Sequence, residues 1–158
     1  MNRLIYVETS IPSFYFETRP SPENQARRNW TREWWEAARI NESLVTSPAV
    51  IDELTCAPEP KRSNTLALIG PLPFLTITPE VRQIVHVYIR HKIMPADTGG
   101  DALHLALASF HECDILVSWN CRHIANASKA GHIRTINNTL GLHTPQLVTP
   151  YELLEIES

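Results

Sequence analysis

The sequence predicts an α/β fold, a three-layer α/β/α sandwich with a mostly parallel central sheet of about four or five strands. Three observations carry this. Short apolar runs alternate with helix-length segments along the chain; the runs are apolar enough to be covered on both faces; and the loops are short, with no repeat, low-complexity tract or linker.

The first run, residues 3 to 7, Arg-Leu-Ile-Tyr-Val, is rich in branched and aromatic side chains and reads as a buried strand ending at Glu8. Ser21-Pro22-Glu23 then follows the rule that a Ser caps a helix whose first residue is proline, and residues 23 to 40 continue without Pro or Gly. Leu44-Val45-Thr46 forms a second strand. Ser47-Pro48 starts a helix with Asp52-Glu53 near its second turn, and residues 60 to 69 make another that Gly70-Pro71 stops. Phe74 to Ile77 is β-like. Thr78-Pro79-Glu80 opens a helix through about residue 91, in which Val81, Ile84, Val85 and Tyr88 recur at helical spacing.

After the breaker-rich segment 95 to 100, Asp101-Ala-Leu-His-Leu-Ala-Leu-Ala-Ser-Phe is a strong helix former, with a carboxylate where the helix dipole favours one. Asp114 to Ser118 gives a further strand. A short helix is expected after Asn120 and a longer one over roughly 128 to 139, stopping at Gly141; Pro145 to Val148 is the last strand. Thr149-Pro150-Tyr151-Glu152 then reads as a Thr-x-x-Glu capping box on a terminal helix.

With 158 residues, 43% hydrophobic and 20% charged, the chain supports one core, read as a single domain over residues 1–158. No run is long and apolar enough for a bilayer span, and MNRLIYVETS lacks a signal peptide's apolar region and cleavage site. A cytoplasmic protein with no membrane partner is expected. Cys56, Cys113 and Cys121 form an odd set without a CxxC pair, which suits idle thiols in a reducing compartment. A net charge of -3 argues against holding nucleic acid by bulk electrostatics, but not against gripping it locally through a divalent metal.

Ligands of open parallel sheets collect outside the carboxyl ends of strands. That rule selects Glu8 and Asn120, while Glu53 and Asp101 lie on helices able to face the same rim. Hard oxygen ligands of this kind suit Mg²⁺ or Mn²⁺, which can direct a water at a phosphodiester and stabilise the leaving oxygen. Taken singly, Asp101 reads first as a helix cap, Glu53 as a solvated helix residue and Asn120 as a turn or cap residue. Glu8 has no comparable reading: a charged residue closing an apolar strand, followed by Thr9-Ser10, implies an edge that faces a site.

These dispersed positions resemble the PIN domain, the nuclease family that includes the VapC toxins of bacterial toxin–antitoxin pairs. Tyr6-Val7-Glu8-Thr9-Ser10 is similar to its first-strand signature, where Asp is usual before Thr-Ser. Val50-Ile51-Asp52-Glu53-Leu54 resembles its second acidic element, Asp101-Ala102-Leu103-His104-Leu105-Ala106 the third, and Leu116-Val117-Ser118-Trp119-Asn120 the fourth, where many members carry Asp or Asn. The resemblance covers nearly the whole chain. It implies Mg²⁺- or Mn²⁺-dependent cleavage of RNA, with Glu8, Glu53 and Asp101 as metal ligands or their supports and Asn120 completing the rim. It further implies a small antitoxin that places a basic side chain in the acidic pocket, and a homodimer. Glu8, one methylene longer than Asp, and the neutral Asn120 depart from the pattern and leave open a catalytically impaired domain that binds RNA or assembles with protein.

A haloacid-dehalogenase-like or response-regulator-like domain is disfavoured, because Glu8 is not the Asp nucleophile those folds expect. The P-loop and the Gly-rich dinucleotide fingerprint are absent from the sequence. His104 falls on the helix face of Asp101, packed or lining the site; His91, His111, His123, His132 and His143 show no metal spacing. Trp30, Trp34 and Trp35 read as core, any exposed remainder being a partner surface. Arg27, Arg28, Arg32 and Arg39 read as a solvated face or an RNA-guiding edge.

Overall fold

Side chains buried on both faces, such as Ile5, Tyr6, Val7, Ile115, Leu116 and Val117, can only belong to strands covered by helices on each side. The computed structural model describes residues 2–91, 100–120 and 127–157 and places these strands at the centre of a three-layer α/β/α sandwich. Its sheet has the order β2-β1-β3-β4, with β1 (Leu4–Val7), β2 (Ser43–Val45), β3 (Ile115–Val117) and β4 (Gln146–Val148). Every strand pair is parallel: Tyr6 lies opposite both Val45 and Leu116, and Leu116 opposite Leu147.

The described helices are α1 (Ser10–Tyr15), α2 (Pro22–Asn41), α3 (Pro48–Thr55), α4 (Lys61–Ile69), α5 (Pro79–Arg90), α6 (Asp101–Phe110), α7 (Ala127–Leu140) and α8 (Pro150–Glu157). α1, α2 and α8 pack side by side, and α5 packs on α6. The capping signals are realised as hydrogen bonds. Ser21 Oγ accepts from the Asn24 amide and Thr78 Oγ1 from the Val81 amide, both at 3.2 Å. Thr149 and Glu152 exchange side-chain-to-backbone bonds of 3.0 and 3.1 Å, a reciprocal capping box.

Two expectations are corrected. Phe74 to Ile77 is not a strand: the segment touches β2 through one bridge, Thr46 to Phe74. Pro73 has no amide hydrogen to extend a ladder, and Phe74 stays 43% exposed. The sheet therefore has four strands among the described residues. The second correction is α1, in a stretch where no element was expected; its Pro12 is the third helical residue, where no intrahelical amide bond is lost. The short helix expected after Asn120, with Cys121, Arg122 and His123, lies outside the described residues, as do Pro95 to Gly99.

The core draws on β1, β3, α2 and α6, with Trp34, Trp35, Leu105 and Leu107 all buried. Trp34 and Trp35 are core, as expected. Trp30 is half-buried and stacks on Trp119 at 6.2 Å, with Tyr151 at 4.5 Å from it. Among the described residues no helix is long and apolar enough to cross a membrane.

Candidate active site at the carboxyl rim of the sheet

β1 has β2 on one side and β3 on the other, so the strand order reverses at β1/β3, the place where open α/β sheets generally bind ligands outside the carboxyl ends of their strands. Glu8 follows β1 directly at this end and is only 2% exposed. A buried carboxylate needs donors. Oε1 accepts from the Ser10 amide at 2.7 Å, the Ser10 hydroxyl at 2.5 Å and the Ser118 hydroxyl at 3.0 Å, while Oε2 accepts from Asn120 Nδ2 at 3.2 Å. The serines are themselves braced, since Ser10 Oγ accepts from the Trp119 amide and Ser118 Oγ from the Asn120 amide, both at 2.8 Å. The loop after β3 is thereby stitched to the turn after β1.

A second group lies beside the first. Glu53, in the second turn of α3, has its side chain one-third exposed (33%) and sets Oε1 2.5 Å from His104 Nε2. His104, on α6, is fully buried; its Nδ1 lies 2.7 Å from the Tyr6 hydroxyl, which lies 2.8 Å from Ser47 Oγ. Burial alone would push the His104 imidazole down, but the hydrogen bond to Glu53 and the charges of Glu8, Glu53 and Asp101 outweigh it and raise its pKa. Burial also drives the Tyr6 phenol well above its ordinary range, with Glu8 and Glu53 adding to the effect.

Asp101 is the first residue of α6 and 7% exposed; the cap position belongs to Gly100, in the left-handed region at φ 88. Thus Glu8 and Asn120 are directly bonded, and the fields of Glu8, Glu53 and Asp101 meet on one buried imidazole. The carboxylates suit Mg²⁺ or Mn²⁺ in kind, as hard oxygen donors. Nearby, Thr9 Oγ1 is a buried hydroxyl without a hydrogen-bond partner. In arrangement, no group of three or more His, Cys, Asp or Glu side chains among the described residues is set to hold a metal ion: Glu53 is turned on His104, and Glu8 on its serine and asparagine donors.

Tyr6 and Ser47 had not been selected from the sequence. A signal existed, because a phenol inside an otherwise aliphatic strand brings a hydroxyl into the core that must find a partner. The arginines of α2 are engaged within the chain: Arg27 pairs with Glu23 at 2.8 Å, Arg32 donates to the Tyr15 carbonyl at 2.7 Å and Arg39 bonds Glu36 at 3.0 Å. Arg28 makes longer contacts, to Gln25 at 3.5 Å and Asn29 at 3.4 Å. Cys56 is exposed, and burial pushes the Cys113 thiol up to about 12, far from a reactive thiolate.

Comparison with protein-family models finds no match, and a search of curated proteins finds none with significant similarity.

Proposed function

We propose that this chain is a PIN-like, metal-dependent endoribonuclease that hydrolyses RNA phosphodiester bonds at the carboxyl rim of its sheet. The observation that supports it most is the burial of Glu8 and Asp101 together with the Glu53–His104 hydrogen bond, on elements that meet at the strand-order reversal. Burying acidic side chains is costly unless a cation or donors reward it. Glu8, Glu53 and Asp101 are the residues that would have to draw together to hold Mg²⁺ or Mn²⁺, which would supply a polarised water and charge neutralisation at the phosphodiester. The protein's own part is positional: Ser10, Ser118 and Asn120 fix Glu8, and the start of α6 presents Asp101. As the toxin of a toxin–antitoxin pair, the chain would pair with a copy of itself and be silenced by a small antitoxin offering a basic side chain to the rim.

A second reading, a catalytically impaired PIN-like domain that binds RNA or assembles with protein, has its own support. Both oxygens of Glu8 already accept protein donors. Calorimetric titration with Mn²⁺ and incubation with single-stranded RNA separate the two. The nuclease reading expects Mn²⁺ binding and cleavage, with Asp101→Asn lowering cleavage at least about 100-fold at unchanged thermal stability. Absence of both Mn²⁺ binding and cleavage would discard it, and unchanged cleavage by Asp101→Asn would reduce Asp101 to a helix-terminal charge.

A further inference from the structure

A glutamate at the exposed end of a short helix has three side-chain torsions and ordinarily samples many rotamers. Glu53 is instead held by a chain of hydrogen bonds that begins and ends on its own helix. Ser47, the cap residue of α3, makes no capping bond to the helix amides; its hydroxyl meets the Tyr6 hydroxyl at 2.8 Å. Tyr6, on β1, meets His104 Nδ1 at 2.7 Å, and His104, on α6, meets Glu53 Oε1 at 2.5 Å through Nε2. With Glu53 ionised, Nε2–H donates to its carboxylate.

This closed circuit has features that core packing does not require. Ser47 forgoes the cap that its position offers, which a serine at a helix start normally makes. Tyr6 and His104 are fully buried polar groups, where apolar residues of similar shape would serve packing as well. The circuit opens to solvent at one member, the Glu53 carboxylate. Gly100 passes over that end in a left-handed conformation, where a Cβ would stand 3.4 Å from Glu53 Oε1 and 3.7 Å from His104 Nε2.

We propose that His104 is a positioning residue for Glu53, a buried imidazole anchored through Tyr6 on Ser47 that fixes where the Glu53 carboxylate points at the rim. What Glu53 then holds rests on the nuclease reading above; the positioning itself does not. Tyr6 does not touch Glu53 and acts on it only through the imidazole.

The test compares Tyr6→Phe, His104→Gln, which keeps a donor at the Nε2 position, and His104→Leu, which keeps none. Two readouts are taken: the Mn²⁺ dissociation constant by calorimetry, and the ¹³C resonance of the Glu53 carboxyl by NMR without metal. The constant is expected to rise about 10- to 100-fold in His104→Leu, by less in Tyr6→Phe, and to return close to wild type in His104→Gln. The Glu53 resonance is expected to move in Tyr6→Phe. A folded His104→Leu with wild-type affinity, or a His104→Gln as weak as His104→Leu, overturns the proposal. If the wild-type protein binds no Mn²⁺ and cleaves no RNA, the nuclease reading falls; whenever Mn²⁺ does not bind, the resonance alone decides: a shift in Tyr6→Phe supports positioning, and an unmoved resonance overturns it. Should His104→Leu fail to fold, Tyr6→Phe and His104→Gln decide by the same two readouts.

Discussion

Asn120 donates its side-chain amide to Glu8 Oε2 at 3.2 Å, across 112 residues of chain and between the ends of two neighbouring parallel strands. Glu8 is thus no isolated charge at a strand end. Its two oxygens are shared out, Oε1 to the serines and Oε2 to the asparagine. The two residues that close neighbouring strands are therefore partners: a buried carboxylate reaches a neutral amide donor.

That partnership predicts a cost for shortening the acid. In Glu8→Asp the carboxylate withdraws by one methylene from Ser118 and Asn120, whose donors then lose a buried acceptor. Urea unfolding should show a loss of about 1–3 kcal/mol. Equal midpoints for wild type and Glu8→Asp would mean that the extra methylene has no structural role.

How far the sequence reveals the molecule depends on the range of the forces involved. Helix starts at Ser21-Pro22, Thr78-Pro79 and Thr149-x-x-Glu152 were readable because a cap is a contact between residues three apart. α1 was not, because a six-residue helix has little stability of its own and is held by its packing on α2 and α4. Phe74 to Ile77 has strand composition, but between the flanking Pro73 and Pro79 it makes one bridge, to Thr46. Glu8 and Asn120 could be named from strand-end positions and Asp101 from a helix start, while Glu53 was placed only on a helix able to face the same rim. The link from Tyr6 to His104 spans 98 residues, and nothing local in either segment announces it.

Glu17 supports a prediction about acid stability. Its carboxylate is buried against Arg19, which donates to it from the side chain and from the backbone and, despite a desolvation cost, lowers its pKa from 4.5 to about 2. A folded-state value below the unfolded one stabilises the fold above the unfolded pKa, and that contribution is lost as pH falls through the folded one. Arg19→Ala should therefore be less stable than wild type at pH 6, with the difference shrinking between about pH 4.5 and pH 2. Chemical denaturation at pH 6, 4 and 2.5 checks this; a difference that stays constant with pH would show that Glu17 and Arg19 do not interact in solution.

Gly100 tests whether backbone conformation or contact governs the entrance to α6. Its φ of 88 lies in the left-handed region, while an added Cβ would meet Glu53 Oε1 at 3.4 Å and His104 Nε2 at 3.7 Å, ordinary contact distances. The cost of Gly100→Ala should then come from the backbone, about 1–2 kcal/mol. Gly100→Asn has the larger side chain, yet asparagine tolerates the left-handed region better and should cost less. Thermal unfolding of the two variants ranks them: a strained backbone leaves the asparagine variant the more stable, whereas crowding against Glu53 and His104 would make it the less stable, and that order would refute the backbone account.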